Sequence, residues 1–507
     1  MDTVKKINEI LVSLFNSVLK MEEKALQNST NLNLSITEIH TLEAIGTGKP
    51  KTMTQVAGAL KISVGTLTVA INKLVKKGYV ERSRVSEDRR IVKIRLTDTG
   101  RAAVEEHEAF HDSMVREAIA DLTEEEALRF VQSIDNINQF FQMQEFRPMK
   151  GSENLRLEPL KMGDLTIPVP IFQGGMGIGI SMSGLAGAVA AQGGVGVISA
   201  AQPGFNEPDF DKNPVEANTR ALKRNIKEAL AIAAKGENPG AVGVNIMVAA
   251  QHYEDYVNAA IDAGAQIIIS GAGLPTSLPA IEKTKTVKLV PIVSSARAAG
   301  LIIKNWSKKY NRVPDAIIFE GPLAGGHLGF KEEQLELAEE AFYKTIREIK
   351  QELSELPDCP LIVAGGIFNR NDALKAISHG ADGVQMGTRF VTTEECDAPM
   401  AFKQAYLNCG KEDVTIIKSP VGMPGRAMKN SFSHRVGEEG QREAIARCNN
   451  CIVPCNPATA PYCITSALVR AARGDVENGL VFCGANAWKC DKIETVEDIF
   501  KEFKAGS

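Results

Sequence analysis

The chain has 507 residues, 44% of them hydrophobic and 24% charged, with a formal net charge of -4 at pH 7. That length exceeds one typical domain, so two or three are expected, each able to bury its own core. A mildly acidic total disfavours nucleic acid except through local patches, and no run approaches the roughly 20 uninterrupted apolar residues that cross a bilayer. The opening residues Met1-Asp2-Thr3-Val4-Lys5-Lys6 lead into an amphipathic pattern without an apolar signal core, so a cytoplasmic address and no membrane partner are expected.

Val4, Ile7, Ile10, Leu11, Leu14, Phe15, Val18 and Leu19 recur at steps of three and four, one face of a helix seeking a partner. Helical patterns follow at 35–45, 53–60 and 63–76. Residues 54–74 read as helix, turn, helix, with Ser63 capping the second helix and Thr66, Thr68 and Asn72 exposed on it. Residues 78–82 begin a short strand, 85–90 form a charged turn, and 91–96 alternate as the returning strand of a wing. Lys73, Lys76, Lys77, Arg82, Arg84, Arg89, Arg90, Lys93 and Arg95 stand against only Glu81, Glu87 and Asp88 there, a local charge suited to phosphates. The bland alternative is a common packing unit with a solvated basic face. With Ser86-Glu87-Asp88-Arg89-Arg90 at the wing tip and Leu96-Thr97-Asp98-Thr99-Gly100 starting the next helix, the segment from 1 to about 145 closely resembles MarR-type transcription regulators. The resemblance implies a homodimer built from the first helix and from helices at 97–118 and 123–142. It also implies double-stranded DNA as a partner, contacted through Ser63, Thr66, Thr68, Arg82, Arg89 and Arg90.

Residues 146–160 lose periodicity, carry Pro148, Gly151 and Pro159, and read as a linker. Short apolar runs at 169–171, 195–199, 242–245, 267–270, 289–293, 316–320, 361–364 and 383–386 then alternate with helical stretches. Eight such strands, with glycines and polar residues clustered just after them, predict a closed parallel (β/α)8 barrel. A doubly wound open sheet would want a Gly-x-Gly-x-x-Gly turn after its first strand, and Gly175-Met176-Gly177-Ile178-Gly179 does not fit that frame. The expected fold is therefore multidomain. A helix-rich winged helix-turn-helix spans 1–145, and an α/β TIM barrel spans 161–507. The glycine pairs at 325–326 and 365–366, with Gly387-Thr388, let backbone amides approach an anionic or planar ligand, read as FMN. His327, flanked by glycine turns at a strand end, faces the same mouth, although a lone histidine is more often structural than catalytic.

Ile171-Phe172-Gln173-Gly174-Gly175-Met176, Ala191-Gln192-Gly193-Gly194-Val195-Gly196, and the runs 320–329, 364–367 and 385–390 are similar to the nitronate monooxygenase (2-nitropropane dioxygenase) family. They are also similar to its relatives, the flavin-dependent enoyl-ACP reductases. The resemblance runs in unbroken order from about 155 to about 430. It implies FMN across the strand ends, with Gln173, Gly174, Gly175 and Met176 near the isoalloxazine and Asn245 beside it. Gly325, Gly326, Gly365, Gly366, Gly387 and Thr388 then lie on the phosphate. His327 aligns with the family's active-site histidine. In a nitronate oxidase it orients the nitro group or takes a proton from the substrate carbon; in an enoyl reductase it places the thioester or protonates Cα. Both readings stay open, with NAD(P)H as the co-substrate of the second, and the two halves together suggest an oxidoreductase fused to a regulator. A third reading makes the barrel a flavin sensor with little catalysis.

Residues 418–427 correspond to a substrate-side loop in those relatives. Beyond them, Cys448, Cys451, Cys455 and Cys463 crowd together, four of the 9 cysteines of the chain. In a reducing cytosol such crowding suggests metal more than disulfides. A [4Fe-4S] cluster, as in other flavin barrels that reduce enoyl thioesters, competes with zinc, which prefers two separated pairs, and with plain thiols.

Overall fold

A computed structural model describes residues 34–118, apart from 49, 61–63 and 85–91, and residues 157–504, apart from 336–338, 357, 439 and 446, with a few isolated positions besides. The chain divides into two compact units, Met1–Arg147 and Pro148–Ser507. Among the described residues no helix is long and apolar enough to cross a membrane.

In the first unit, helix Ile36–Ile45 begins at a capping box in which Ser35 Oγ accepts from the Glu38 N–H and the Glu38 carboxylate accepts from the Ser35 N–H. Its Ile39, Leu42 and Ile45 lie on one face and are buried against Val56, Leu67, Ile71 and Leu74. The last three come from helix Val64–Lys76, which follows helix Met53–Ala59. Burying those positions turns Asn72 and Lys73 outward and leaves Val69 61% exposed. Strands β2 (Val80–Arg84) and β3 (Val92–Leu96) pair antiparallel in register Val80↔Leu96, and helix Asp98–Ala118 follows. A two-residue strand β1 (Lys51–Thr52) completes this sheet by pairing with β3, an element too short to leave an alternation in the sequence. The wing tip with Arg89 and Arg90, the cap residue Ser63, and the expected helices over 4–19 and 123–142 lie outside the described residues, as does the side chain of Thr66.

The second unit starts with a hairpin, β4 (Leu160–Met162) and β5 (Leu165–Ile167), whose Leu160, Met162 and Ile167 pack into the barrel interior. Leu160 thus belongs to the folded unit, not to a linker, because its side chain is needed there. The barrel strands are β6 (Ile171–Gln173), β7 (Val195–Ser199), β8 (Ala241–Met247), β9 (Ile267–Gly271), β10 (Lys288–Val293) and β11 (Ile317–Glu320). After the two-residue strand β12 (Gly326–His327) come β13 (Leu361–Ala364) and β14 (Gly383–Met386). All barrel pairs are parallel, and β14 closes on β6. Phe172, Val197, Ile269, Ile318 and Ile362 fill the interior, as a barrel of this size requires. The first strand begins two residues later than its apolar run suggests, because Pro168 and Pro170 carry no N–H to donate. After β9 two 3-10 turns, Leu278–Ala280 and Glu282–Thr286, stand where a helix is expected, with Pro275 and Pro279 interrupting the segment.

Above the barrel, β12 pairs with β16 (Pro424–Met428), which pairs with β15 (Val414–Lys418). The segment read as a loop at 418–427 is therefore the turn and second strand of this hairpin. Its alternation is masked by Pro420, Gly422, Pro424 and Gly425.

Candidate active site

The carboxyl ends of the barrel strands surround a cavity of about 270 Å3. Gly174, Gly175 and Met176 reach it from β6, Asn245 from β8, Gly325, Gly326 and His327 from the segment after β11, Gly365 and Gly366 from β13, and Gly387 and Thr388 from β14. Gln173 is not among the lining residues. It is fully buried, its amide donates to the Gly174 carbonyl, and its Oε1 accepts from the Val197 N–H at 3.0 Å, so it ties β6 to β7.

Gly365 and Gly366 take φ values of +92° and +94°, a conformation that strains any residue with a side chain. A Cβ on Gly366 would lie 3.0 Å from Leu323 Cδ1. The amides of both glycines have no hydrogen-bond acceptor among the described residues, which leaves two donors directed by tight backbone turns at the cavity wall.

His327 is held from a distant part of the sequence. Its Nε2 meets Ser419 Oγ at 2.8 Å, its ring packs edge-on against Phe482 with centroids 5.2 Å apart, and its backbone pairs with Gly425. Burial pulls the imidazole down to about 4, so it is neutral near pH 7. Beneath it, the buried Arg426 donates to the carbonyls of Pro322 and Ala324, fixing the glycine-rich turn that delivers His327. Ser419, Arg426 and Phe482 carry no local signal, since each acts across 92 or more positions of sequence or through backbone atoms. Glu320 also lines the cavity. An acid ending an apolar run at the catalytic end of a barrel was visible in the sequence as a signal for it.

The Cys-rich segment docks on the end of β8. Ile452 bridges Ala250, Val453 N–H donates to the Ala249 carbonyl at 2.9 Å, and Gln251 N–H donates to the Cys451 carbonyl at 3.2 Å. Cys451 and Ile452 thereby join Ile464, Leu468 and Leu480 in the cavity lining. Cys448, Cys451, Cys455 and Cys463 are free thiols, and burial raises the pKa of Cys451 and Cys455. Among the described residues no group of three or more His, Cys, Asp or Glu side chains is arranged to hold a metal ion. The metal expectation at these four cysteines gains no support from this arrangement, in which the stretch around Cys451 bridges to β8 through its backbone. In the first unit, Arg82 is exposed and Thr68 half-buried.

Comparison with known proteins places these features. The family profile described as Nitronate monooxygenase matches residues 158–506, and the profile described as MarR family matches residues 34–92. A probable nitronate monooxygenase of Staphylococcus saprophyticus is 30% identical over 195 residues, covering 38% of this chain and 52% of that protein. The chain spans about half the length of the first curated relatives it matches. Among solved structures, nitroalkane oxidase from Streptomyces ansochromogenes is 18% identical, with a TM-score of 0.50, covering 67% of this chain and 96% of its own; at that identity the likeness concerns the fold. The FabT protein of Streptococcus pneumoniae, in complex with DNA, is 40% identical, with a TM-score of 0.27, over 27% of this chain and 97% of its own.

Proposed function

The chain belongs to the nitronate monooxygenase family, with a MarR-family segment in its first unit, and from that premise we propose that it is an FMN-dependent oxidoreductase fused to a DNA-binding regulator. The regulator half is placed at 1–145 and the oxidoreductase half in the barrel unit, which includes β4 from Leu160. The observation that carries the enzymatic reading is a neutral histidine, His327, in the same cavity wall as two left-handed glycines with unengaged amides. That cradle fits a phosphate monoester: a Cβ on either glycine would crowd the Gly321 backbone or Leu323, and among the described residues their amides have no acceptor. Gly365, Gly366, Gly387 and Thr388 would hold the phosphate of FMN, and Gly174, Gly175, Met176 and Asn245 its ring. When bound, FMN supplies reversible two-electron redox chemistry.

The rest falls to side chains of this protein. Neutral His327 accepts a proton from the substrate carbon beside the nitro group, and Ser419 fixes the plane of its ring. Phe482, Cys451 and Ile452 add apolar surface to the wall around that transfer. Replacing Gly366 by valine is expected to release FMN without unfolding the barrel, since Val at φ near +94° must either move Leu323 or reshape the cradle. Unchanged FMN affinity of a folded Gly366→Val protein, measured by fluorescence quenching, would remove the cradle from the phosphate site.

One observation favours a second reading. Ile178, Ile452, Ile464, Leu468 and Leu480 give the cavity an apolar wall that a small nitronate leaves uncovered and an acyl chain would fill. Oxygen uptake with an alkyl nitronate and no NAD(P)H supports the first reading. NAD(P)H-dependent loss of enoyl-thioester absorbance supports the second. No metal is assigned to the Cys-rich segment in either. The first unit would bind duplex DNA as a homodimer through helix Val64–Lys76 and the β2–β3 wing.

A further inference from the structure

The chemistry given to His327 leaves one ionisable group at the barrel mouth unused. Glu320 is the last residue of β11, at the end of the barrel where catalytic side chains gather, and it lines the cavity together with His327, Gly365 and Gly366. Part of its surface stays accessible. Burial alone, with no hydrogen bond and no neighbouring charge contributing, pushes its carboxyl up to about 7. His327 is driven the opposite way, to about 4. Two groups whose surroundings push their proton affinities apart divide the roles of acid and base between them, and here the carboxyl keeps its proton where the imidazole has none.

We propose that Glu320 in its protonated form is the hydrogen-bond donor that receives the anionic oxygen of the substrate, leaving His327 as the proton acceptor. This rests on the oxidoreductase reading above and names its ligand class, a small planar oxyanion with its charge shared between oxygens, as in the nitronate left when a nitroalkane carbon gives its proton to His327. A carboxylic acid inside an apolar cavity can donate to such an anion, whereas the ionised carboxylate repels it across a low dielectric. Affinity for the anion therefore falls as pH rises through the pKa of Glu320. His327 does not imitate this, because it is already neutral throughout that range.

The experiment titrates nitrate, an unreactive planar oxyanion, into the full-length flavin-loaded protein and follows the absorbance of the bound flavin. Wild-type affinity is expected to be level at acid pH and to weaken about tenfold per pH unit above about pH 7. Glu320→Gln, which keeps a donor but cannot ionise, is expected to bind with no pH dependence, and Glu320→Ala weakly at every pH. Level wild-type affinity across that range overturns the assignment, as does an identical pH slope in Glu320→Gln. A pH-dependent affinity for FMN with level affinity for nitrate also overturns it, placing Glu320 against the cofactor. Should the variants misfold, the wild-type slope and its persistence in His327→Asn still decide the matter. A yellow protein failing these tests sinks only this assignment, whereas a chain that takes up no flavin sinks the oxidoreductase reading and this one with it.

Discussion

His327→Ala is expected to lower turnover by roughly 100-fold or more, the usual scale for a positioned proton acceptor, while FMN stays bound. The phosphate cradle lies on the β13 and β14 loops, and none of its residues leans on the imidazole, so cofactor binding and turnover separate. The side chain packs against Phe482 and engages Ser419, so its removal also leaves a small void and takes one partner from the Ser419 hydroxyl, which still accepts from the Val421 N–H. Stability loss must therefore be separated from catalytic loss by comparing His327→Ala with Ser419→Ala. The second variant keeps the imidazole and frees its orientation, and it is expected to lose kcat with less change in KM. The sign of the pH dependence is fixed by the lowered pKa of His327. Its neutral form is the one the folded protein favours, so stability from this group is present above the usual histidine range and is lost as pH falls through about 4. Activity that depends on the neutral ring should hold down to that pH and fail below it. Turnover of His327→Ala equal to wild type with both a neutral nitroalkane and an enoyl thioester would make the residue structural.

Binding of duplex DNA by the full chain is expected to weaken about a thousandfold between about 50 and 200 mM salt if some six phosphates are neutralised. The described basic residues supply much of that charge. Lys73 and Lys76 extend from helix Val64–Lys76, and Arg82 and Lys93 from the wing strands. Others are already engaged, Arg95 with Glu81 at 2.5 Å and Lys77 with Glu38 at 2.7 Å, and these must exchange a partner to contribute. Lys73→Ala should therefore reduce the salt slope by about one and weaken all sequences alike, whereas a change at Thr68 should alter preference among sequences. Salt-independent affinity, or none for any palindromic fragment, would leave the unit a dimerisation module.

The barrel was legible because parallel strands covered on both faces leave continuous apolar runs, and all eight appear as such. Its irregularities sit where proline intervenes, at Pro168 and Pro170 before β6 and at Pro275 and Pro279 after β9. The glycine loops and His327 were legible through their position after strands. What escaped was the support that reaches the site from far along the chain. Ser419 meets His327 across 92 residues, and Arg426 clasps a turn about a hundred residues before it. No local periodicity encodes such contacts. Gln173 stands inside a motif at a strand end, but its side chain accepts from the Val197 N–H of the next strand and is not among the residues lining the cavity, a sheet contact no local motif reveals.

The central claim is that the barrel carries FMN at the cavity holding His327. It is tested most directly by purifying the full chain, reconstituting it with FMN, and quantifying by absorbance the cofactor released on heating. One FMN per chain from the wild type, with little or none from Gly366→Val, is the expected result. A folded wild-type protein that stays colourless after reconstitution would contradict it.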